Sequence, residues 1–74
     1  MEDRRVRLLY PPTLVNIPVI YQLIKQFDLT INILGARINP EEGWVDLQVS
    51  GHGEVIQKAV AWLNSQGIEV KELE

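Results

Sequence analysis

Residues 39–50 constrain the fold more than any other part of the chain. Asn39-Pro40-Glu41-Glu42-Gly43 is followed by strict alternation of Val45, Leu47 and Val49 with Trp44, Asp46, Gln48 and Ser50. A period of two sends successive side chains to opposite faces, so this run is predicted to be a strand with one buried and one open face. Residues 29–39, rich in β-branched and aliphatic side chains, form a second strand upstream. The Pro-then-Gly order between them is that of a hairpin turn, with Gly43 free to take positive φ. The two strands are therefore antiparallel.

The flanking segments each supply one strand and one helix, strand first on the N-terminal side and helix first on the C-terminal side. Val6, Leu8 and Tyr10 alternate with Arg5, Arg7 and Leu9 as a first strand, which Pro11-Pro12 ends because neither proline can donate a ladder hydrogen bond. Asn16 is an N-cap residue type and Pro18 falls in a first helical turn. Ile17, Ile20, Tyr21, Ile24 and Phe27 then recur at three- and four-residue steps, which predicts a helix to about Phe27 with these as its buried stripe. Val55, Ile56, Ala59, Val60, Trp62 and Leu63 give a second helix a broad apolar face, Gly67 stops it, and Ile68-Glu69-Val70 resumes alternation. The order is βαββαβ. Two helices with one apolar face each are satisfied together on one side of a four-stranded antiparallel sheet, which is an α+β, ferredoxin-like fold over residues 4–74.

At 74 residues the chain is one domain, near the size at which association often supplements a small core. It lacks an apolar stretch long enough to span a membrane and lacks a charged-then-apolar leader, so a cytoplasmic location is expected. No cysteine is present, which excludes disulfides, thiol catalysis and thiolate-held metals or clusters within these residues. With a net charge of −3, and Arg4, Arg5 and Arg7 as its one basic patch, the chain is not expected to bind nucleic acid. The central strands also lack the aromatic stacking pairs of an RNA-recognition domain. The patch reads as protection of an exposed strand against foreign strands, or as steering for an acidic partner.

Function then rests on the open face of the sheet. If Ile31 and Ile33 face the helices, the pleat sends Asn32, Leu34, Ala36 and Ile38 to the other side with Leu9 and Trp44. That arrangement puts one carboxamide in an exposed apolar surface, the kind that marks an interaction site, with Leu9, Leu34 and Trp44 as its anchors. It also turns Arg37 toward the helices. A bulge near Gly35 would reverse this, aiming Arg37 outward and Ile38 inward, and the sequence leaves both registers open. Asn32 can donate to a carboxylate and accept from an ammonium of one amino acid, or it can satisfy a neighbouring strand or a dimer mate. His52, between two glycines, has no paired nucleophile or second ligand and reads as a turn or capping residue. An acylphosphatase-like catalyst needs an arginine anion cradle between the first strand and helix, where Pro11-Pro12-Thr13-Leu14-Val15 has none. No enzyme activity, cofactor or metal is expected.

Over residues 5–73 the chain resembles the NIL domain. The resemblance rests on Asn32-Ile33-Leu34 followed by Gly35-Ala36, on Pro18-Val19-Ile20, on Gly43 and Gly51, and on the ending Gly67-Ile68-Glu69-Val70. NIL domains are the C-terminal regulatory part of bacterial methionine-import ATPases, and others are fused to ferredoxin-type cluster domains. The resemblance implies a homodimer that binds methionine or a related amino acid. Asn32 would contact the ligand, and Ile38, with Leu34 and Ala36 nearby, would line its side chain. The sequence departs from those larger proteins in carrying no phosphate loop and no cluster cysteines. A free-standing domain could sense the ligand, or dock on a transporter or an iron–sulfur protein.

Overall fold

Each periodic segment forms the element its period demands, in a computed structural model that describes residues 1–41 and 43–73. Strand β1 spans Glu2–Tyr10, a 3-10 turn Pro12–Leu14, helix α1 Val19–Gln26, β2 Thr30–Ile38, β3 Gly43–Gly51, α2 Gly53–Ser65 and β4 Glu69–Leu73. The strands form one sheet in the order β2-β3-β1-β4, and every pairing is antiparallel. This is the expected α+β ferredoxin-like architecture. β1 begins three residues before the alternation at Arg5, because Glu2, Asp3 and Arg4 pair in register with Gly51, Ser50 and Val49. In the β2–β3 hairpin the Asn39 side chain accepts the Glu41 N–H at 2.9 Å, while Glu42, part of the expected turn, lies outside the described residues.

The core lies between the helices and one face of the two central strands. Val6, Leu8 and Tyr10 of β1 meet Val45, Leu47 and Val49 of β3, with Val19 and Leu23 of α1 and Ile56, Ala59 and Leu63 of α2 above them. Leu8 and Leu47 are entirely buried. A gap of about 20 Å³ among the core side chains holds one water at most.

Three local expectations are corrected. First, α1 buries Val19 and Leu23, with Ile20 and Phe27 half-buried, whereas Ile17, Tyr21 and Ile24 are exposed. The helix carries two apolar ridges, and eight residues can press only one of them onto the sheet. Second, Pro18 rather than Asn16 holds the N-cap position, and no side chain caps that end. Third, β1 is an interior strand between β3 and β4, so its arginines do not guard a sheet edge.

Gly67 does stop α2. It has φ +91°, its N–H donates to Asn64 O at 3.0 Å, and Ile68 N–H donates to Leu63 O at 3.0 Å. That pair of bonds is the Schellman arrangement, and it closes over the buried side chains of Leu63 and Ile68. At the other end of α2, His52 is the N-cap residue through its backbone: its carbonyl accepts Ile56 N–H at 3.0 Å, and its side chain makes no capping bond.

Candidate functional site

The register of β2 decides what the open face carries. Thr30 and Asn32 stand opposite Ser50 and Gln48, and Ile31 and Ile33 opposite Val49 and Leu47. The register shifts between Ile33 and Gly35, so Leu34 is an extra residue with no partner on β3. Beyond this bulge Gly35 faces Asp46, Ala36 faces Val45, Arg37 faces Trp44 and Ile38 faces Gly43. The bulge therefore puts Arg37 on the open face and turns Ala36 and Ile38 to the helix side, away from the face of Asn32.

The open face is consequently polar. Reading across the four strands, Asn32 lies in a row with Gln48, Arg5 and Leu73; Gly35 with Asp46, Arg7 and Lys71; and Arg37 with Trp44, Leu9 and Glu69. The middle row is locked. Arg7 donates from Nε to Asp46 Oδ1 at 2.7 Å and from Nη2 to Oδ2 at 2.9 Å, and its guanidinium lies 4.3 Å from the Trp44 ring centroid. Those two hydrogen bonds hold the Asp46 carboxyl below its ordinary range and push the arginine up, against a smaller opposing effect of desolvation on each. Trp44 also reaches toward the open space over Gly35, where an added Cβ would sit 3.8 Å from the indole.

The expected site residues thus divide. Leu9 and Trp44 are cross-strand neighbours and both half-buried. Asn32 shares their face but lies four β3 positions away, about 13 Å along the strand. It is exposed and makes no side-chain hydrogen bond among the described residues. Beside its row an open depression is lined by Asp3, Arg4, Arg5, Gln48, Glu72 and Leu73. Arg4 there pairs with Glu2 at 3.1 Å and Glu72 at 3.8 Å, whereas Arg5 has no such partner among the described residues. Leu34 sits at the bulge on the free edge, half exposed, with Ala36 and Ile38 following it around to the helix side.

Sequence reading missed two features. One is the Arg7–Asp46–Trp44 cluster: the two-residue spacing puts Trp44 and Asp46 on one face of β3, but only the pairing of β1 with β3 brings Arg7 to them. The other is the exposure of Ile17, Tyr21 and Ile24 on and just before α1 and of Ile33, Leu34 and Ile38 on β2. Its signal was the surplus of apolar positions on α1 over what one stripe requires. Among the described residues no group of three acidic or histidine side chains is placed to hold a metal, and no helix is long and apolar enough to cross a membrane.

A small antiparallel sheet with one face covered by two helices, a bulged free edge and an exposed carboxamide beside the bulge defines a ferredoxin-like α+β domain. Residues 4–72 match the NIL domain, and the chain belongs to that family. It is 39% identical over 59 residues to the L-aspartate semialdehyde sulfurtransferase iron-sulfur subunit of Methanocaldococcus jannaschii, covering 80% of this chain and 44% of that protein. It is 27% identical over 71 residues to the methionine import ATP-binding protein MetN of Helicobacter hepaticus, covering 90% of this chain and 20% of that one. A third relative, an uncharacterized protein of Synechococcus elongatus, is 33% identical over 73 residues, covering 95% of this chain and 90% of its own length. The chain thus spans less than half of the first two. The C-terminal domain of an ABC transporter ATP-binding protein from Enterococcus faecalis has the same fold, with a TM-score of 0.82 at 20% identity, covering 95% of this chain and 82% of that one.

Proposed function

We propose that this NIL domain is a cytoplasmic regulatory module that binds methionine or a related amino acid as a homodimer and performs no catalysis itself. The observation that carries the reading is the exposed Asn32 carboxamide, without an internal partner, on a strand at the sheet edge. A ligand lying along that edge meets both sides of it. Asn32 would bind the α-amino and carboxylate groups from the open side, while Leu34 at the bulge and Ala36 and Ile38 beyond it would receive an unbranched apolar side chain. The absence of room in the core favours such a surface or intermolecular site, and the relation to methionine import ATP-binding proteins favours the ligand class.

The test is a thermal-shift series on the purified chain with the twenty amino acids, homocysteine and S-adenosylmethionine, followed by calorimetric titration. Methionine at a hundredfold excess over its dissociation constant should stabilise the fold by about 2.7 kcal/mol. Asn32→Ala should remove this gain while leaving the unliganded melting temperature in place. An equal gain in the variant would take Asn32 out of the site, and no gain with any compound would refute ligand binding.

A second reading is supported by the share of the relatives that the chain spans: 20% of a transport ATPase and 44% of an iron-sulfur subunit, so that the domain occurs attached to larger machines. In this reading the domain docks on a transporter or iron–sulfur protein through Leu9 and Trp44. Trp44→Ala should then weaken capture of such a partner, and unchanged capture would refute this face.

A further inference from the structure

The chain is acidic, with a net charge of −3, yet the open face of its sheet has the opposite balance. Among the described residues that face carries Arg5, Arg7, Arg37 and Lys71, four of the seven lysines and arginines, against Asp3, Asp46 and Glu69, three of the ten acids. Two of these carboxylates are already engaged. Asp46 is held by Arg7, and Asp3 accepts the Ser50 hydroxyl. Arg5, Arg37 and Lys71 are exposed, and among the described residues their side chains make no ion pair or hydrogen bond. Three uncompensated cations thus share a surface with one unengaged carboxylate, Glu69.

Their spacing indicates the kind of anion they fit. Arg37 and Arg5 are two strands and four β3 positions apart, on the order of 16 Å between backbones. No single small anion bridges that gap, whereas about five residues of extended chain span it. Lys71 lies one strand beyond Arg5, in the row of Arg7. Leu9 and Trp44, both half-buried, add an apolar footing to the same face. Nucleic acid is a poor match. Three free cations are few beside the roughly six to ten phosphate contacts of a duplex-binding protein, and Trp44, the one aromatic on this face among the described residues, already has the Arg7 guanidinium 4.3 Å from its ring centroid.

We infer that the open sheet face is a docking surface for an acidic protein segment, an extended stretch that brings carboxylates to Arg5, Arg37 and Lys71 and an apolar side chain to Leu9 and Trp44. Charge complementarity selects this occupant. Guanidinium groups take carboxylates in a two-bond fork, and a positive face on a negative chain steers an acidic partner to this side while the rest of the molecule repels it. A second copy of the chain meeting face to face would instead set these cations against one another, which is costly. The inference rests on the docking reading above, whose Leu9 and Trp44 it shares, and adds the chemistry of the partner. It does not depend on the amino-acid ligand.

Fluorescence anisotropy of the full chain with a labelled glutamate-rich peptide carrying a central leucine tests it, at about 0.1 M salt, where exposed charges more than about 10 Å apart are largely screened. The peptide should bind saturably and lose affinity as salt is raised. Arg5→Glu and Arg37→Glu should each weaken binding by about three- to tenfold. Lys58→Glu, the same charge change at an exposed position of α2, should alter it by less than about twofold. All three positions are exposed, so circular dichroism should show an unchanged fold. No binding of the peptide overturns the proposal, as do equal losses with all three reversals, which would report net charge alone, and tighter binding of a single-stranded RNA of equal charge. Peptide binding of the expected pattern without capture of a transporter or iron–sulfur protein supports the acidic partner and refutes only that identity for it. Capture lost in Trp44→Ala but untouched by Arg5→Glu and Arg37→Glu keeps the docking reading and overturns the acidic chemistry.

Discussion

Replacing Gly67 by alanine isolates the conformational role of one residue. Its φ of +91° lies in the left-handed region, where an L side chain costs about 1–2 kcal/mol. Space is not the issue, since an added Cβ would meet Leu14 Cδ1 at an ordinary 3.6 Å. Alanine also restricts the unfolded chain, which offsets roughly 0.4–1 kcal/mol. The net loss should therefore be about 1 kcal/mol, and for a domain of this size that lowers the melting temperature by roughly 4–8 °C. Gly67→Asn should fall between wild type and alanine, because asparagine tolerates the left-handed region better. Thermal melts of the three proteins at one concentration, kept equal because association would shift them all, give the comparison. An alanine variant as stable as wild type would refute the argument. So would an asparagine variant less stable than alanine, which would show that bulk rather than backbone conformation decides.

Two further outcomes follow from the geometry. Gly51→Ala would place a Cβ 2.6 Å from Leu29 Cδ2 and 3.4 Å from Asp28 O, so the half-buried Leu29 side chain must move; a cost of about 1 kcal/mol in urea unfolding is expected, and a neutral variant would show that Leu29 yields freely. The folded Asp46 carboxyl titrates below its unfolded counterpart because Arg7 holds the ionised form. Its stabilising contribution is therefore complete above the unfolded carboxylate range, near about pH 4, and is lost as pH falls through and below it. Wild type should lose more stability than Asp46→Asn on acidification, and parallel pH profiles would remove the Arg7–Asp46 pair from the account.

The locked Arg7–Asp46–Trp44 cluster bears on both functional readings. It fixes an aromatic surface at one end of the open face while leaving the Asn32 row uncommitted. Asn32 and Trp44 are separated by about 13 Å along the strand, so variants at the two positions test the proposed ligand binding and the proposed docking separately.

The residue order alone determined the elements and the architecture. Alternation at Trp44–Ser50, the Asn39-Pro40 turn signal and the Gly67 stop are local signals, because a period of two, a turn dipeptide and a left-handed glycine act within a few residues of themselves; Gly43, expected in the turn with positive φ, instead opens β3 without it. They made the βαββαβ order, the hairpin, the α2 stop and the choice of Leu47 and Val49 for the core legible. Asn32 was legible as a polar residue on the open side of its strand, before the bulge intervenes. What followed the bulge was not. Whether Leu34 adds an unpaired residue is settled by how β2 meets β3, and one extra residue exchanges the faces of Ala36, Arg37 and Ile38 together. The phase of α1 was hidden for the same kind of reason. Two apolar ridges fit a helix equally well, and only the core beneath it, meeting Val19 and Leu23, left Tyr21 and Ile24 exposed.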